Sequence, residues 1–437
     1  MRRLPLTTVI ATLALSACAH AGSGLALPPT GSLSSDAATM RSTPAMSVAA
    51  PGERLDALPG MPQSGTLAER LNALPGVPQP MCVQPQKGDG NAGCQVQQNR
   101  LFGAKPNPNT PYAQIWGYKP RDLAAAYAIP ASGNAGTVAI VDAYDDPAVE
   151  SDLAVYRSAM GLPACTSANR CFRKVAVQGT PNADAGWSAE IALDVEMVSA
   201  ACAQCSIVLV EAQSASMHDL AKAVGVAASY HPDAISNSYY APEDPSQRAL
   251  ERTYAVSGSV VTVAAGDGGF GTTYPASSPN VVAVAATSLL PDVSARGWGE
   301  GVWSGTGSGC STIAAKPAWQ TDKGCAGRTV ADLAVVGDPR TGVAMYTSIA
   351  PAGVQTGWIV AGGTSVGAPF VAGLYALAGN AKSIVAPQRL WTSRAQLNPI
   401  TVGSNGTCPA SIAYLCTATT SYSGPGGNGS PRGLAAF

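Results

Sequence analysis

Evenly apolar runs alternate with helical stretches over most of this 437-residue chain. Runs such as residues 260–265 and 281–286 have almost no polar side chain to turn toward solvent, so they predict strands that are buried on both faces. Further apolar runs predict strands over 137–143, 234–239 and 333–336. The segments 188–203, 217–229 and 245–256 have the length and pattern of helices. Buried strands joined by helices predict an α/β fold with a mostly parallel sheet between helix layers, in a single domain over residues 110–437.

The charge content narrows the classes of partner. Charged residues make up 12% of the chain, with 26 basic and 27 acidic side chains and a formal net charge of −1, whereas a typical soluble domain has about 25% charged residues. No basic tract is present, which argues against nucleic acid or an anionic membrane surface as a partner. Few carboxylates also mean little added self-repulsion when acid protonates them, which predicts tolerance of low pH.

The first 18 residues resemble a secretory signal. Two arginines precede an apolar run that ends at Ala17 and is too short to span a bilayer. The run closes on a Leu-Ser-Ala-Cys sequence that resembles a lipobox and predicts lipidation of Cys18; cleavage near Ala19 or Ala21, with Cys18 discarded, is the alternative. We therefore expect an extracytoplasmic protein, secreted or lipid-anchored at the cell envelope, whose only membrane contact is that anchor.

Residues 19–109 have the composition of a tether. They are rich in Pro, Gly, Ser and Ala and show no sustained periodicity, as linkers do. A nine-residue unit at 52–60 recurs in similar form at 68–76. Two copies of so short a unit cannot build a repeat fold, so we interpret them as a duplicated part of the tether.

Cysteine spacing agrees with export. The chain has eleven cysteines, and ten of them fall into close neighbours, which predicts five local disulfides. Cys202 and Cys205 would also fit a redox or zinc pair, but an oxidising compartment and the lack of nearby histidines favour the disulfide. By proximity the pairs are Cys82 with Cys94, Cys165 with Cys171, Cys202 with Cys205, Cys310 with Cys325, and Cys408 with Cys416.

A glycine turn places one serine at the junction of a strand and a helix. Ser365 follows two glycines and precedes an apolar helical stretch, where it would be exposed beside backbone N–H groups as a nucleophile requires. A plain helix-capping serine is the alternative. The Gly363-x-Ser365-x-Gly367 pattern of α/β-hydrolases needs a later histidine, and the last histidine is His231, so that interpretation fails.

The general base for Ser365 is therefore sought among the carboxylates. His218 and His231 lie outside any glycine-rich, site-like context. Glu190 and Asp194 are four residues apart, so on a helix they share one face, where like charges repel. Such a pair fits a site with a shared proton. A solvated helix face is the alternative, which the apolar surroundings disfavour.

Asp267 stands at the end of a buried-type strand, within a Gly-Asp-Gly-Gly sequence. An aspartate that hydrogen-bonds its own turn is the simple interpretation. As a functional residue it would lie at the carboxyl edge of the sheet, where active sites of such folds are found.

Three motifs occur in order along the chain: Glu190-x-x-x-Asp194, Gly266-Asp267-x-Gly269 and Gly363-Thr364-Ser365-x-x-Ala368-Pro369. Together they resemble the sedolisin family of serine-carboxyl peptidases, over residues 111–437. That resemblance implies a subtilisin-like fold with one catalytic domain and acid endopeptidase or tripeptidyl peptidase activity on peptides or proteins. It also implies that Ser365 is the nucleophile, Glu190 its base, Asp194 the carboxyl that orients Glu190, and Asp267 the oxyanion-hole acid.

These residue types suit acid conditions. Near pH 4 a histidine base would be mostly protonated, whereas a glutamate with an ordinary pKa of about 4.3 still accepts a proton. Asp267 must be protonated to donate a hydrogen bond to the oxyanion. We therefore expect an acid optimum, and a monomer that acts alone on its substrate.

Three departures from the family pattern affect these expectations. Pro399 and Ser423 stand where the resemblance places calcium-binding aspartates, and neither replaces a carboxylate, so we expect no cofactor. Tyr240 stands where the family tends to have glycine in the substrate-binding strand, which affects the width of the cleft. Residues 19–109 do not have the pattern of the family's folded propeptide, which leaves open whether the protein needs activation.

Two other functions stay open at this point. One is a catalytically weak or inactive cell-surface binding protein on the same fold. The other is a histidine-dependent, subtilisin-type protease that uses His218 or His231.

Overall fold

The computed structural model describes residues 58–437. The predicted signal segment, Cys18 and the predicted tether up to residue 57 lie outside the described residues, so those expectations stay predictions. Within residues 58–437, none of the helices combines the length and the apolar character needed to cross a membrane.

Helices and strands are numbered here in chain order within residues 58–437. The α-helices are α1 (Leu67–Asn72), α2 (Pro120–Tyr127), α3 (Val149–Ala159), α4 (Ala185–Ala201), α5 (Met217–Ala228), α6 (Gly367–Ala378) and α7 (Ala386–Thr392). The strands are β1 (Pro78–Pro80), β2 (Gly93–Cys94), β3 (Gln97–Asn99), β4 (Thr137–Ala143), β5 (Phe172–Ala176), β6 (Ser206–Ala212), β7 (Ala234–Asn237), β8 (Tyr239–Pro242), β9 (Val260–Ala264), β10 (Thr273–Tyr274), β11 (Val282–Pro291), β12 (Trp298–Val302), β13 (Gly309–Ala315), β14 (Gly327–Val330), β15 (Leu333–Val336), β16 (Val343–Thr347), β17 (Gly357–Gly362), β18 (Leu397–Asn398) and β19 (Ser430–Pro431).

An eight-stranded sheet forms the centre of the fold. Its order is β12-β11-β9-β7-β4-β6-β5, and β15 pairs with residues 284–287 of β11. Every pairing is parallel except that of β12 with β11. The mostly parallel sheet predicted from the sequence is confirmed.

Helices cover both faces of this sheet. Along β4, Val138 and Ile140 join the core that contains α4 and α6, while Ala139 and Val141 join the core that contains α5. Because alternate residues of a strand point to opposite faces, a continuous apolar run is what a strand between two helix layers needs. The expected layering is confirmed.

A break after β7 shapes the cleft. The sequence predicts one strand over 234–239, but the chain leaves the central sheet after Asn237, whose side-chain amide donates to the carbonyls of Ile235 (3.3 Å) and Thr262 (3.2 Å). The next strand, β8, pairs with β2 and β10 in a separate three-stranded sheet.

The helix predicted over 245–256 is also interrupted: two 3₁₀ turns, Pro245–Ala249 and Glu251–Tyr254, stand in its place.

The described part of residues 19–109 packs against the domain. Leu58, Leu71 and Leu74, from the duplicated unit, are buried with Leu290 and Val360. Strands β1 and β3 join β17 and β16 in a four-stranded sheet. Composition alone gave no reason to expect strands here, because the leucines are too sparse to set a periodicity and act only through long-range packing.

All five disulfides of the described residues join neighbours in sequence. They link Cys82 to Cys94, Cys165 to Cys171, Cys202 to Cys205, Cys310 to Cys325, and Cys408 to Cys416. These are the five pairs that proximity predicts.

Candidate active site

Helix α4 holds the two predicted carboxyls. Asp184 caps its N-terminus and accepts hydrogen bonds from the N–H groups of Gly186 and Trp187, both at 3.0 Å. The helix is buried on nearly all sides, as its apolar composition requires. Glu190 and Asp194 are both 0% exposed, so they do not form a solvated helix face.

Ser365 and Asp267 come together from different strands. Strand β17 ends at Gly362, and the φ of +109° at the next residue, Gly363, is in the region that favours glycine. Ser365 follows in a 3₁₀ turn before α6. The N–H of Thr364 donates to Oδ1 of Asp267 at 2.8 Å, and its hydroxyl donates to the same oxygen at 2.9 Å. The residue before Ser365 thus fixes Asp267 beside it. The strand that leads to Ser365 belongs to the four-stranded sheet and not to the central one.

Glu190 lies next to Ser365. The hydroxyl of Ser365 is close enough to lower the pKa of Glu190, although Oγ of Ser365 and Oε1 of Glu190 have no well-aligned hydrogen-bond partner. Catalytic hydrogen bonds often align only when substrate is bound. The other oxygen, Oε2, accepts the N–H groups of Gln95 and Val96, both at 2.7 Å.

Burial dominates the electrostatics of the acidic pair. It raises the pKa of Glu190 to about 8, against the lowering effect of hydrogen bonds from Ser365, Gln95 and Val96. Burial, followed by the charges of Asp142 and Glu190, raises the pKa of Asp194 well above its usual range. Two carboxyls that are both costly to ionise and repel each other are expected to share a proton.

Asp142 is a third carboxyl that we did not assign a role from the sequence. It is 0% exposed on β4 and neither of its oxygens has a donor. Burial and the charges of Glu190 and Glu211 raise its pKa, and Glu211 is its partner in register on β6. Glu211 in turn lies 3.1 Å from Nζ of Lys174. An acid inside an otherwise apolar strand was the signal that could have indicated this position.

Burial and hydrogen bonds act in opposite directions on Asp267. Burial raises its pKa to about 7, against the lowering effect of hydrogen bonds from Thr364 and Gln97. Oδ1 accepts two hydrogen bonds from Thr364, whereas Oδ2 accepts one, from Nε2 of Gln97 at 2.7 Å. A proton on Asp267 is therefore easier to place on Oδ2.

A strand from the predicted tether lies over these groups. Strand β2 pairs antiparallel with β8, with Gly93 opposite Tyr240, and β3 pairs antiparallel with β17. We call residues 93–97, which connect the two pairings and contact Glu190 and Asp267, the covering strand. Tyr240, whose side chain was expected to affect the width of the cleft, places its hydroxyl against the side chain of Gln84. The contacts of residues 95–97 could not be predicted from the sequence, because these residues have the same composition as the predicted linker around them.

The histidines lie elsewhere. His218 is in the first turn of α5 and His231 follows its end, and both are exposed. Helix α5 packs on the face of the sheet opposite to α6, which follows Ser365. A histidine-dependent site at Ser365 is therefore inconsistent with this structure.

Comparison with solved structures identifies a protein of similar fold. Pseudomonas sedolisin, a serine-carboxyl proteinase solved with two molecules of pseudo-iodotyrostatin, matches with a TM-score of 0.60 and 24% sequence identity, over 73% of this chain and 96% of that chain. The chain is sedolisin-like in fold. Fervidolysin from Fervidobacterium pennivorans, a keratinolytic enzyme related to subtilisin, matches over 78% of this chain and 51% of its own chain. Its sequence identity of 15% and TM-score of 0.43 are too low to support an argument about this chain. No protein-family model matches the chain, and neither does any curated protein.

The C-terminal region of this sedolisin-like fold lacks the acids that calcium prefers. Pro399 has no side-chain atom that could bind a cation. Ser423 offers only a hydroxyl, which is buried and has no hydrogen-bond partner. Among residues 58–437, the one group of three metal-ligand side chains within reach of each other is Cys82, Cys94 and Glu190, and its cysteines form a disulfide.

Hydrogen bonds within the protein hold the same loops. Nδ2 of Asn398 donates to the carbonyl of Pro431 at 2.6 Å, and Oγ of Ser430 donates to Oε2 of Glu300 at 2.5 Å. The N–H of Asn428 donates to the carbonyl of Asp332 at 2.8 Å. The residues present therefore do not fit a calcium ion at this place.

We predict that thermal stability is greatest in acid. Eight carboxyls within residues 58–437 have pKa values raised mainly by burial: Asp142, Asp146, Asp152, Glu190, Asp194, Glu196, Glu211 and Asp267. Between about pH 4, where the unfolded chain releases these protons, and pH 7–8, the folded chain binds more protons than the unfolded one. Stability is therefore full below about pH 4 and falls as pH rises through this window, so Tm should be higher at pH 4 than at pH 8.

Glu196→Gln is the matched control for this pH dependence. Glu196 is buried outside the site and accepts the N–H of Tyr346, an interaction that the amide oxygen of glutamine preserves. The variant should show a smaller fall in Tm between pH 4 and pH 8 than the wild type. A wild-type Tm that is equal or higher at pH 8 would contradict the prediction.

A chelator should leave stability unchanged. Because no carboxylate is present at the positions of Pro399 and Ser423, EDTA at millimolar concentration is expected to shift the Tm by less than the error of a differential scanning measurement, and added calcium should not restore or raise it. A fall of several degrees that calcium reverses would show that another set of oxygens binds the ion.

Proposed function

We propose that this chain is an exported acid serine-carboxyl peptidase that hydrolyses peptide bonds of peptides or proteins. The observation that carries the proposal is the convergence of Ser365, Glu190 and Asp267, from three separate elements, in one buried site. Glu190 reaches Ser365, and Thr364 holds Asp267 next to it. Glu190 lies in the N-terminal half of α4 and Ser365 directly before α6, in a sedolisin-like fold.

In the first step, Oγ of Ser365 attacks the carbonyl carbon of the scissile peptide bond. Its proton passes to Glu190, on Oε1, the oxygen that has no other donor. Asp194, one helical turn away, shares a proton with Glu190 and keeps its carboxyl oriented. The oxyanion that forms accepts a hydrogen bond from the protonated Oδ2 of Asp267, a contact of the kind worth about 10²–10³ in rate.

In the second step, the tetrahedral intermediate collapses and the C–N bond breaks. Glu190 returns its proton to the leaving amine, and the acyl group stays on Ser365. A water molecule then attacks the ester while Glu190 again accepts a proton. Asp267 donates to the oxyanion of this second intermediate as well.

Acid conditions suit both carboxyl roles. Asp267 must keep its proton, so activity falls as pH rises through its pKa of about 7. Glu190 must accept a proton, and its pKa of about 8 applies to the covered, dry site. Because burial is the main cause of that shift, entry of water and substrate lowers the pKa of Glu190 toward the acid range.

The remaining parts of the proposal concern setting and partners. Five disulfides support an oxidising, extracytoplasmic compartment, reached as a secreted protein or through a lipid anchor at Cys18. The peptidase would work as a monomer, without a metal and without nucleic acid.

One observation favours a second function. The covering strand occupies the polar groups of the site, as expected of a protein that keeps the fold to bind a surface partner and no longer cleaves. The peptidase proposal is preferred because all four side chains that the proposed chemistry uses are present, with Glu190, Asp194 and Ser365 buried, which a binding protein does not need.

Ser365→Ala should abolish hydrolysis. Denatured casein incubated for a day at pH 3–5 should be cut by the wild type, and the variant should lose at least about 10³-fold in rate because the nucleophile is gone. Ser151→Ala, which changes an exposed serine on α3 whose hydroxyl donates to the carbonyl of Ala148, is the matched control and should retain activity. Equal activity of wild type and Ser365→Ala would refute the assignment.

Asp267→Asn and Asp267→Ala should differ in pH profile. Alanine removes the oxyanion donor and should lower kcat by about 10²–10³. Asparagine keeps its oxygen where Thr364 donates and its NH₂ at the place of Oδ2, so it donates at every pH and should remove the decline of activity near pH 7. An unchanged alkaline limb in Asp267→Asn would show that another group sets it.

A further inference from the structure

The covering strand engages two of the acidic groups that the proposed mechanism uses, Glu190 and Asp267. Gln95 and Val96 donate their N–H groups to Glu190, and Gln97 meets Asp267. The hydroxyl of Thr364 lies 3.1 Å from Oε1 of Gln95. A substrate cannot make these contacts while the strand is in place.

The strand also approaches the nucleophile turn more closely than any side chain would allow. A Cβ at position 363 would lie 2.1 Å from the carbonyl oxygen of Gln95. Upstream, Gly93 and Cys94 form an antiparallel ladder with Tyr240 and Tyr239 of β8. The strand therefore fills the groove beside β8 in the extended form that a peptide substrate would take.

A disulfide joins this strand to an anchored arm of the same chain. Cys94 is 0% exposed on β2, and its partner Cys82 follows Met81, which is 3% exposed in the core and donates its N–H to the carbonyl of Val96 at 3.0 Å. Between the two cysteines the chain is exposed over most of its length, with Val83 at 89% exposure. Besides the disulfide, the arm meets the strand through the hydrogen bond of Met81 to Val96 and the pairing of β1 with β3, and residues 83–92 connect the two as a mostly exposed loop.

We propose that the Cys82–Cys94 disulfide is a latch that holds the covering strand over Glu190 and Asp267, and that its reduction opens the site. This inference rests on the proposed peptidase function and names its regulation. The disulfide restricts the freedom of the strand once it leaves the groove, so the closed state is favoured. Without it, departure of the strand gains the conformational entropy of the loop.

The opening step is a thiol–disulfide exchange with a dithiol. A thiolate of the dithiol attacks Sγ of Cys82, which is only partly buried, and Cys94 leaves as a thiolate that takes up a proton. The second thiol of the dithiol then attacks the mixed disulfide and releases Cys82. The dithiol ends as a disulfide, and the two cysteines have gained two electrons and two protons.

The Cys165–Cys171 disulfide provides a matched control. It also joins a nearly inaccessible cysteine, Cys165 at 1% exposure, to a partly buried one across a short loop. It lies between α3 and β5 and makes no contact with the covering strand. Removing this disulfide makes the same two Cys→Ser changes and releases a short loop, but away from the site.

The test compares the full chain of the wild type, Cys82→Ser/Cys94→Ser and Cys165→Ser/Cys171→Ser at pH 4. Amide hydrogen exchange of the peptide that contains residues 93–99 reports departure of the strand without any need for catalysis. Labelling of Ser365 by a peptide aldehyde and hydrolysis of casein report access and turnover. In Cys82→Ser/Cys94→Ser we expect exchange and labelling to rise at least about tenfold, with no rise in the control pair.

Two further samples keep the test decisive if Cys82→Ser/Cys94→Ser loses protection throughout the chain. Wild type reduced with dithiothreitol near pH 8, where the thiolate forms, and returned to pH 4 should show the same rise. Gln97→Ala, which keeps every cysteine and removes the contact with Asp267, should show a smaller rise.

The outcomes separate the latch from the peptidase. Unchanged exchange of residues 93–99 in the opened variant, in Gln97→Ala and after dithiothreitol overturns the latch. An equal rise in the Cys165→Ser/Cys171→Ser control also overturns it, since the effect is then not specific. Faster exchange without labelling or hydrolysis supports the latch and removes the proposed peptidase function.

Discussion

The site depends on the burial of two carboxyls in an apolar helix. Glu190 and Asp194 on α4 have no access to water, so neither ionises cheaply and each depends on the other's proton or on a nearby donor. That constraint explains why Oε2 of Glu190 accepts two backbone N–H groups in the closed structure, and why Oε1 remains for Ser365. The same burial links the low content of charged residues in the chain to the predicted increase of its thermal stability in acid.

Asp267 shows the same principle in a different role. Thr364 donates both its N–H and its hydroxyl to Oδ1, so Oδ2, which accepts one hydrogen bond from Gln97, is the better place for a proton. In the proposed mechanism, one neighbour of Ser365 therefore both orients the acid and favours the oxygen that donates. The covering strand hydrogen-bonds to these preorganised groups, as we propose a substrate does. The arrangement that prepares the site for the proposed reaction therefore also binds the segment that closes it.

Much of the fold followed from local patterns. Strand β4 occupies the predicted residues 137–143, and β15 the predicted 333–336. A short apolar run that is buried on both faces fits a strand in a sheet with helices on both sides. The break at Ser238 and the interruption near Leu250 were not predictable, since both depend on contacts with distant parts of the chain. The glycine turn before Ser365 was visible because its positive φ requires that residue.

The sequence alone determined the class of sheet, the five disulfide pairs and the three motifs, because spacing, apolar periodicity and glycine turns act over short distances. Only the tertiary structure decided that Asp142 faces the acidic pair and that Gln95, Val96 and Gln97 lie over Glu190 and Asp267. These contacts join residues some 50 to 170 positions apart. A segment with linker composition has no local pattern that reveals such a partner, because its place is set by unpaired acceptors and by a sheet edge that exist only once the domain has folded.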